Sequence, residues 1–151
     1  MKFYKILISV ILFVGTSSYA TDTGHDLSGR YLMKMTIGSR VFDDLLDLEG
    51  PYGPLPAHGT TQLYGALTVP NAFYSPITGQ ISCDLWVAMC RLNFEITAHE
   101  NGQAFRVFYK AQLLGPNYIN FLQGKPALLT GSATLENGDA LGSFEALQQK
   151  R

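Results

Sequence analysis

The feature that most constrains the fold of this chain is an alternation of apolar and polar residues with a period of two. In the segment Leu27 to Ile37, the side chains of Tyr31, Met33 and Met35 fall on one face and polar side chains fall on the other. This pattern is typical of a half-buried β-strand, because successive side chains of a strand point to opposite faces. The further strands predicted in this way are Arg40 to Leu48, Thr60 to Val69, Gln80 to Leu85, Cys90 to His99, Gln103 to Leu113, Pro126 to Leu135 and Asp139 to Gln148.

Turn signals separate these segments. Two Glu-Asn-Gly triplets, at Glu100 and Glu136, each lie between alternating runs, and Asn-Gly in that setting is a strong hairpin signal. The segments predicted to be irregular are Glu49 to Gly59, Phe73 to Gly79 and Gly115 to Lys125, and no helix is predicted among the strands. About eight strands joined by hairpins predict an all-β single domain, either an antiparallel β-barrel or a compact β-sandwich.

Glycines inside the strand patterns indicate where such a sheet bends. Gly29, Gly65, Gly131 and Gly142 each interrupt an alternating run. Isolated strand glycines mark bulges or tight bends, and they also lie beneath large side chains that pack closely on the backbone. Either interpretation favours strong curvature. A bulge or short interruption is also expected at the adjacent residues Asp43 and Asp44.

The N-terminal segment has the three parts of an export signal. Lys2 and Lys5 precede the apolar run Ile6 to Val14, and small residues stand at Ser18 and Ala20. We therefore expect a signal peptide over residues 1–20, a single domain over residues 21–151, and a periplasmic or extracellular bacterial product. No later apolar stretch is long enough for a membrane-spanning helix, so the mature chain is predicted to lack a transmembrane segment.

The charge balance argues against nucleic acid as a partner. Without its first twenty residues the chain has nine basic and twelve acidic residues, and no run of Lys or Arg occurs. Proteins that bind nucleic acid or anionic membranes present a basic patch, and this composition offers none.

Cys83 and Cys90 are the two cysteines of the chain. An even number of cysteines in an exported protein predicts a disulfide. Seven residues of straight strand would hold the two about 23 Å apart, so a bond requires the chain to turn back between them. A Cys-x6-Cys spacing is not that of a redox motif, and two thiols do not make a closed zinc site.

No catalytic motif is recognisable. The histidines, His25, His58 and His99, do not stand at metal-binding spacing, and the sequence contains neither a Gly-x-Ser-x-Gly elbow nor a phosphate-binding loop. The acidic residues Asp43, Asp44, Asp47 and Glu49 are interpreted as a solvated edge. We predict no catalytic residue, no metal ligand and no cofactor.

Apolar residues in the predicted connections are the candidate binding residues. They are Trp86, Val87 and Met89 in the turn between the cysteines, and Tyr52, Phe73, Tyr74, Tyr118 and Phe121 in or beside the long connections. Such residues either plug the ends of a barrel or line a site for a ligand or partner. For Trp86, the interpretation as a plug is slightly favoured.

The function expected from these features is non-catalytic binding by an exported protein. The bound species is a small apolar ligand or a protein partner. One alternative is an interaction or inhibitor-type module with a fully packed interior, and a second is a hydrolase of unrecognised type. An apolar void would favour a ligand carrier, whereas a filled interior would favour a protein-interaction module.

Overall fold

The computed structural model describes residues 26–50 and 58–149. The predicted signal peptide, the expected start of the mature chain at Thr21, and Tyr52 lie outside the described residues. The elements are the strands Gly29–Ile37 (β1), Arg40–Gly50 (β2), His58–Val69 (β3), Phe73–Asp84 (β4), Met89–Glu100 (β5), Gln103–Leu114 (β6), Leu128–Leu135 (β7) and Ala140–Gln148 (β8), and the helix Pro116–Leu122 (α1).

The eight strands form a closed antiparallel barrel in which each strand pairs with its neighbours in sequence and β8 pairs with β1. Of the two architectures predicted from the sequence, the barrel is therefore the correct one. Closure removes the unpaired sheet edges that an open sandwich would have to protect. The inward-facing residues of β1 are Tyr31, Met33 and Met35, and all three are buried, as the alternation predicts.

The two ends of the barrel differ. At one end, which we call the turn end, four hairpin connections join β1 to β2, β3 to β4, β5 to β6 and β7 to β8. At the other, the helix end, the β4–β5 connection lies beside the β6–β7 connection that contains α1. Both Glu-Asn-Gly predictions are confirmed as hairpins. At Asn101 and Gly102 the φ angles are 51° and 78°, the positive values that a type I′ turn requires.

The segment Phe73 to Gly79, predicted to be irregular, is instead the first half of β4. Pro76 misled the prediction because proline cannot donate a backbone hydrogen bond within a sheet. In the structure the β4–β5 ladder begins only at Thr78, so Pro76 lies on a locally unpaired side of the strand. The hydroxyl of Ser75 accepts a hydrogen bond from the Thr97 backbone N–H at 3.2 Å and so joins the two strands where the ladder is absent.

The prediction of no helix among the strands is wrong for Pro116–Leu122, which forms α1. Seven residues are too few to be helical through propensity alone, so tertiary packing stabilises this turn. Pro116 stands in the first turn, where its missing N–H costs nothing, and Tyr118 and Phe121 are buried beneath the helix. Within residues 26–50 and 58–149, no helix is both long and apolar enough to cross a membrane.

Strand glycines allow the barrel to curve, as predicted for Gly65, Gly131 and Gly142. A Cβ atom at Gly131 would lie 2.3 Å from the Lys110 carbonyl oxygen, and one at Gly142 would lie 2.1 Å from that of Thr36. Both strands therefore approach their neighbours at distances that only glycine permits. Register shifts lie beside Gly65 and Gly142, on the β2–β3 and β7–β8 pairs.

The predicted bulge at Asp43 and Asp44 is wrong. Both residues lie in regular β2–β1 register, opposite Lys34 and Met33, and the irregularity falls between Leu48 and Gly50. Regular alternation therefore places Asp43 outside the barrel and Asp44 inside it.

Candidate functional site

The disulfide and its turn form a well-defined feature of the helix end. Cys83 and Cys90 are bonded and stand directly opposite each other on β4 and β5, with their Cα atoms 4.1 Å apart. The chain turns back between them as the sequence required, through a single 3₁₀ turn over Leu85–Val87. The Asp84 carboxylate accepts a hydrogen bond from the Trp86 N–H at 2.9 Å, and Ala88 adopts a left-handed conformation with φ 49°.

We predict that replacing both Cys83 and Cys90 by Ala will lower the free energy of unfolding by about 2.5 kcal/mol, because an eight-residue loop loses its cross-link in the unfolded state. Urea denaturation of the oxidised wild type and the double variant measures the loss. The wild type treated with a reductant is the matched control and should lose a similar amount. Equal stability of the oxidised and reduced wild type would contradict the prediction.

The segment between the two cysteines, residues 84–89, which we call the disulfide turn, presents apolar side chains to solvent. Trp86 is 87% exposed, and Leu85 and Val87 are exposed as well. The slightly favoured interpretation of Trp86 as a barrel plug is therefore wrong, since a plug would be buried. None of the three residues of the 3₁₀ turn is buried.

Other residues plug the helix end. Phe121 is 0% exposed and Tyr118 is also buried, so α1 closes this end over the barrel core. Leu27 packs there too, and its carbonyl oxygen accepts a hydrogen bond from the Tyr31 hydroxyl at 2.8 Å. The side chain of Gln148 connects the same region, donating to the Ser28 carbonyl at 2.9 Å and accepting from the Ala127 N–H at 3.0 Å.

The turn end, by contrast, contains a cavity. Its volume is ≈ 220 Å³, and its walls come from seven of the eight strands, all except β7. Ten of its twelve lining residues are apolar and the other two are Asp44 and Tyr109. We call this cavity the cup. Representative wall residues from six strands are Met35, Phe42, Phe73, Ala98, Phe105 and Leu141.

Aromatic packing separates the cup from the rest of the core. Among the cup residues of β6, Tyr109 lies farthest from the turn. Its ring stacks on Phe94 with centroids 4.9 Å apart, and it meets Phe144 edge-on at 5.7 Å. Such pairs hold one geometry more firmly than their area alone would suggest. These contacts hold the Tyr109 ring at the inner wall of the cup.

Asp44 is the unusual residue of the cup. It is 5% exposed, and its Oδ1 atom has no hydrogen-bond partner among the described residues. Burial, and to a smaller extent the negative charge of Asp43, raises the pKa of Asp44 from 3.8 to about 6. Burial also raises the pKa of Tyr109, and the charge of Asp44 adds to this rise. The solvated-edge interpretation is thus wrong for Asp44, because period-two alternation turns this side chain inward.

The surroundings of Asp43 are different. Its carboxylate is exposed on the outer face and forms an ion pair of 2.7 Å with Lys34 on β1. The two neighbouring aspartates therefore stand on opposite sides of one strand and do not form a catalytic pair. In the described part of the chain, no group of three or more His, Cys, Asp or Glu residues is placed to hold a metal ion.

Three grooves on the outer face of the barrel are larger than the cup, which is itself open at the turn end. One crosses Gly79, with a volume of ≈ 300 Å³, and the others cross Gly131 and Gly29, with volumes of ≈ 440 and ≈ 380 Å³. Charged side chains line each groove, among them Lys110, Glu145 and Arg30. A concave site that is mostly apolar with a few polar groups describes the cup better than these grooves.

The predicted binding residues are divided between several places. Phe73 lines the cup, whereas Trp86, Val87 and the half-buried Met89 belong to the disulfide turn at the opposite end. Tyr74 is exposed on the outer face, and Tyr118 and Phe121 are buried beneath α1.

The sequence prediction missed Asp44, Ala98, Phe105 and the other cup residues, because they lie within the strands and not in the connections.

No family model matches the chain, and no curated protein or solved structure does so either. The cup and the disulfide turn are the two features of the described residues that bear on function.

We predict that the charge of Asp44 destabilises the folded protein above pH 6. The folded-state pKa of Asp44, about 6, lies above the ordinary value of 3.8. Asp44 therefore makes its full contribution to stability below about pH 4, where the carboxyl is protonated, and this contribution is lost as the pH rises through 6. Between pH 4 and pH 8, the free energy of unfolding of the wild type should fall by about 2 to 3 kcal/mol relative to Asp44→Asn. Urea denaturation across this pH range measures the difference.

The matched control is Glu145→Gln, which neutralises an exposed carboxylate on β8. Its pH profile should follow that of the wild type. Parallel profiles for the wild type and Asp44→Asn would mean that Asp44 is solvated, and the description of the cup would then be wrong.

Proposed function

We propose that this protein is an exported, non-catalytic binding protein that holds a small apolar molecule in the cup. The observation that carries the proposal is a ≈ 220 Å³ apolar cavity at one end of a barrel whose other end is closed by α1. An apolar cavity of about 150 Å³ accommodates benzene, so the cup is large enough for one ring with a short substituent. The signal-like N-terminus and the disulfide support an oxidising destination, the periplasm or the cell exterior.

The position of the cup supports binding and not simple packing inefficiency. Protein interiors are close-packed, whereas the cup is an apolar hollow that opens at the turn end, so its apolar side chains stay unfavourably in contact with water unless something fills it. Asp44 adds a second cost, because a buried carboxylate without a partner is unfavourable. Two destabilising features at one place are typical of a site that is kept for a ligand.

Native mass spectrometry of protein isolated from its own cells tests this proposal. The wild type should carry a small molecule that is lost on denaturation. The variant Ala98→Phe should arrive without it, because the new ring fills the cup from its wall. The control is Ala104→Phe, which places the same ring at an exposed position on the adjacent strand β6. Bare wild-type protein, or retention of the molecule by Ala98→Phe, would contradict the proposal.

A second candidate function is docking of a protein partner at the disulfide turn. The observation that favours it is the 87% exposure of Trp86, with Leu85 and Val87 exposed beside it. Trp is enriched among residues that dominate binding energy, and a turn closed by a disulfide loses little entropy on binding. Exposed Leu114 and Ile119 lie on β6 and α1, and the Gly115 N–H bonds to the Ala88 carbonyl, so these elements meet beside the turn.

For this candidate we predict that Trp86→Ala will change the free energy of unfolding by less than about 1 kcal/mol, because an exposed side chain loses little packing. A buried plug would instead lose about 3 to 5 kcal/mol. Thermal melts of the variant and the wild type measure the change. Loss of any co-purifying protein from the Trp86→Ala variant, with stability unchanged, would support docking, and a loss of stability of plug size would exclude it.

A further inference from the structure

The polar groups of the cup restrict what its ligand can be. Among the twelve lining residues, Asp44 and Tyr109 are the only titratable ones. Asp44 is 5% exposed, and its unpartnered Oδ1 belongs to a residue of the cup wall. No cation among the described residues accompanies it inside the cup, since Lys34 pairs with Asp43 on the outer face.

Three ligand classes would affect this carboxylate differently. A neutral apolar ligand would displace water from Asp44 and leave the charge without a partner, which raises its free energy. An anionic ligand would place a like charge beside it. A protonated amine would instead supply a hydrogen-bond donor and a positive charge to the Asp44 carboxylate, and charge-assisted hydrogen bonds of this kind are about twice as strong as neutral ones.

The walls are suited to the rest of such a ligand. Phe42, Phe73, Phe105 and Tyr109 line the cup, and aromatic faces attract organic cations as well as apolar groups. The volume of ≈ 220 Å³ limits the ligand to one ring or a short branched chain.

We infer that the ligand of the cup is a compact organic cation, an apolar group bearing one protonated amine that pairs with Asp44. This inference rests on the proposed function, because it names the ligand class of the same site. Tyr109 lines the same cup and feels the charge of Asp44, so its hydroxyl oxygen is a candidate second acceptor for the ammonium group.

Binding of such a cation depends on pH in a defined direction. The charge of Asp43, on the same strand, acts on Asp44, and Tyr109 on β6 is the other titratable residue of the cup wall. Asp44 gains its negative charge as pH rises through about 6. Affinity for an amine should therefore increase from pH 5 to pH 7.5, whereas affinity for a neutral or anionic analogue should stay constant or decrease.

Isothermal titration calorimetry with three ligands of nearly equal size tests the inference: 2-phenylethylamine, 2-phenylethanol and phenylacetate. At pH 7.5 the wild type should bind the amine about tenfold or more tightly than the alcohol, a difference typical of one charge-assisted hydrogen bond. In Asp44→Asn the preference for the amine should disappear while binding of the alcohol remains. A circular-dichroism melt verifies that the variant is folded.

The outcomes separate the two claims. If the alcohol binds the wild type as well as the amine does, or if phenylacetate is preferred, the inference is overturned and the apolar binding site stands. If the amine binds but its affinity does not rise between pH 5 and pH 7.5, the inference is also overturned, and this arm requires no variant. If none of the three ligands binds at about 10 mM, the proposed function itself fails.

Discussion

Replacing Gly79 by Ala is expected to lower the free energy of unfolding by about 3 kcal/mol or more, at the upper end of the range for overpacked sites. A Cβ atom at this position would lie 2.1 Å from the Asn93 carbonyl oxygen and 2.7 Å from the Phe94 Cα atom. Both are backbone atoms of the paired strand β5, so no side chain can rotate away to make room. Relief requires β4 and β5 to separate, which breaks the ladder beside the aromatic stack.

The control for this variant is Gln80→Ala. Gln80 follows Gly79 on β4 and is exposed, so its truncation should change stability by less than about 0.5 kcal/mol. Urea denaturation of both variants gives the comparison. A Gly79→Ala protein as stable as the wild type would show that the barrel does not bend as tightly at this point as described.

Replacing Phe121 by Ala is expected to cost about 3 to 5 kcal/mol, as large-to-small substitutions of buried aromatic residues do. Phe121 is 0% exposed and carries the packing of α1 onto the helix end of the barrel. Because this helix has only seven residues, it has little stability of its own once the anchor is gone. Denaturant unfolding of the purified variant measures the cost.

Ile119→Ala is the matched control, since Ile119 belongs to the same helix and is 50% exposed. Its loss should be several times smaller. The two ends of the barrel should also behave independently, so the folded fraction of Phe121→Ala should bind cup ligands with wild-type affinity. Weaker binding by folded Phe121→Ala would contradict the assignment of the ligand site to the turn end.

The alternation of residues was sufficient to predict seven of the strands and the second half of β4, because burial in a closed barrel imposes a period of two on every strand. The two hairpins with Glu-Asn-Gly turns were predictable for the same reason, together with the positive φ that Asn and Gly tolerate. The failure at Phe73 to Gly79 has a specific cause. Pro76 is a local strand breaker, and only the three-dimensional register shows that its missing N–H lies where β4 has no ladder to β5.

Helix α1 was missed because its stability comes from contacts distant in sequence. Pro116 and the asparagines of the segment are turn-like by local criteria, and the burial of Tyr118 and Phe121 against the barrel outweighs them. The sequence also left open whether aromatic residues near the connections plug the barrel or face solvent. Phe121 proved to be a plug and Trp86 proved to be exposed.

The inward position of Asp44 could have been predicted from the sequence. Counting back in steps of two from Leu48 through Leu46 places Asp44 on the inward face of β2. The expected bulge at Asp43 and Asp44 interrupted the alternation in the prediction, so Asp44 was not assigned to the inward face. The acidic neighbours also suggested a solvated edge. A charged residue in the inward phase of a barrel strand is therefore a signal for a site, provided that the register is followed through the acidic cluster.

Chemical-shift mapping by NMR will test the claim that the cup at the turn end is a binding site. Titration of ¹⁵N-labelled protein with 2-phenylethylamine, and separately with 2-phenylethanol, should shift the backbone amides of Asp44, Phe73, Ala98 and Leu141 most strongly. Amides of the disulfide turn and of α1 should remain unchanged. Shifts concentrated at Trp86 or along the outer grooves, or no shifts with either ligand, would contradict the claim.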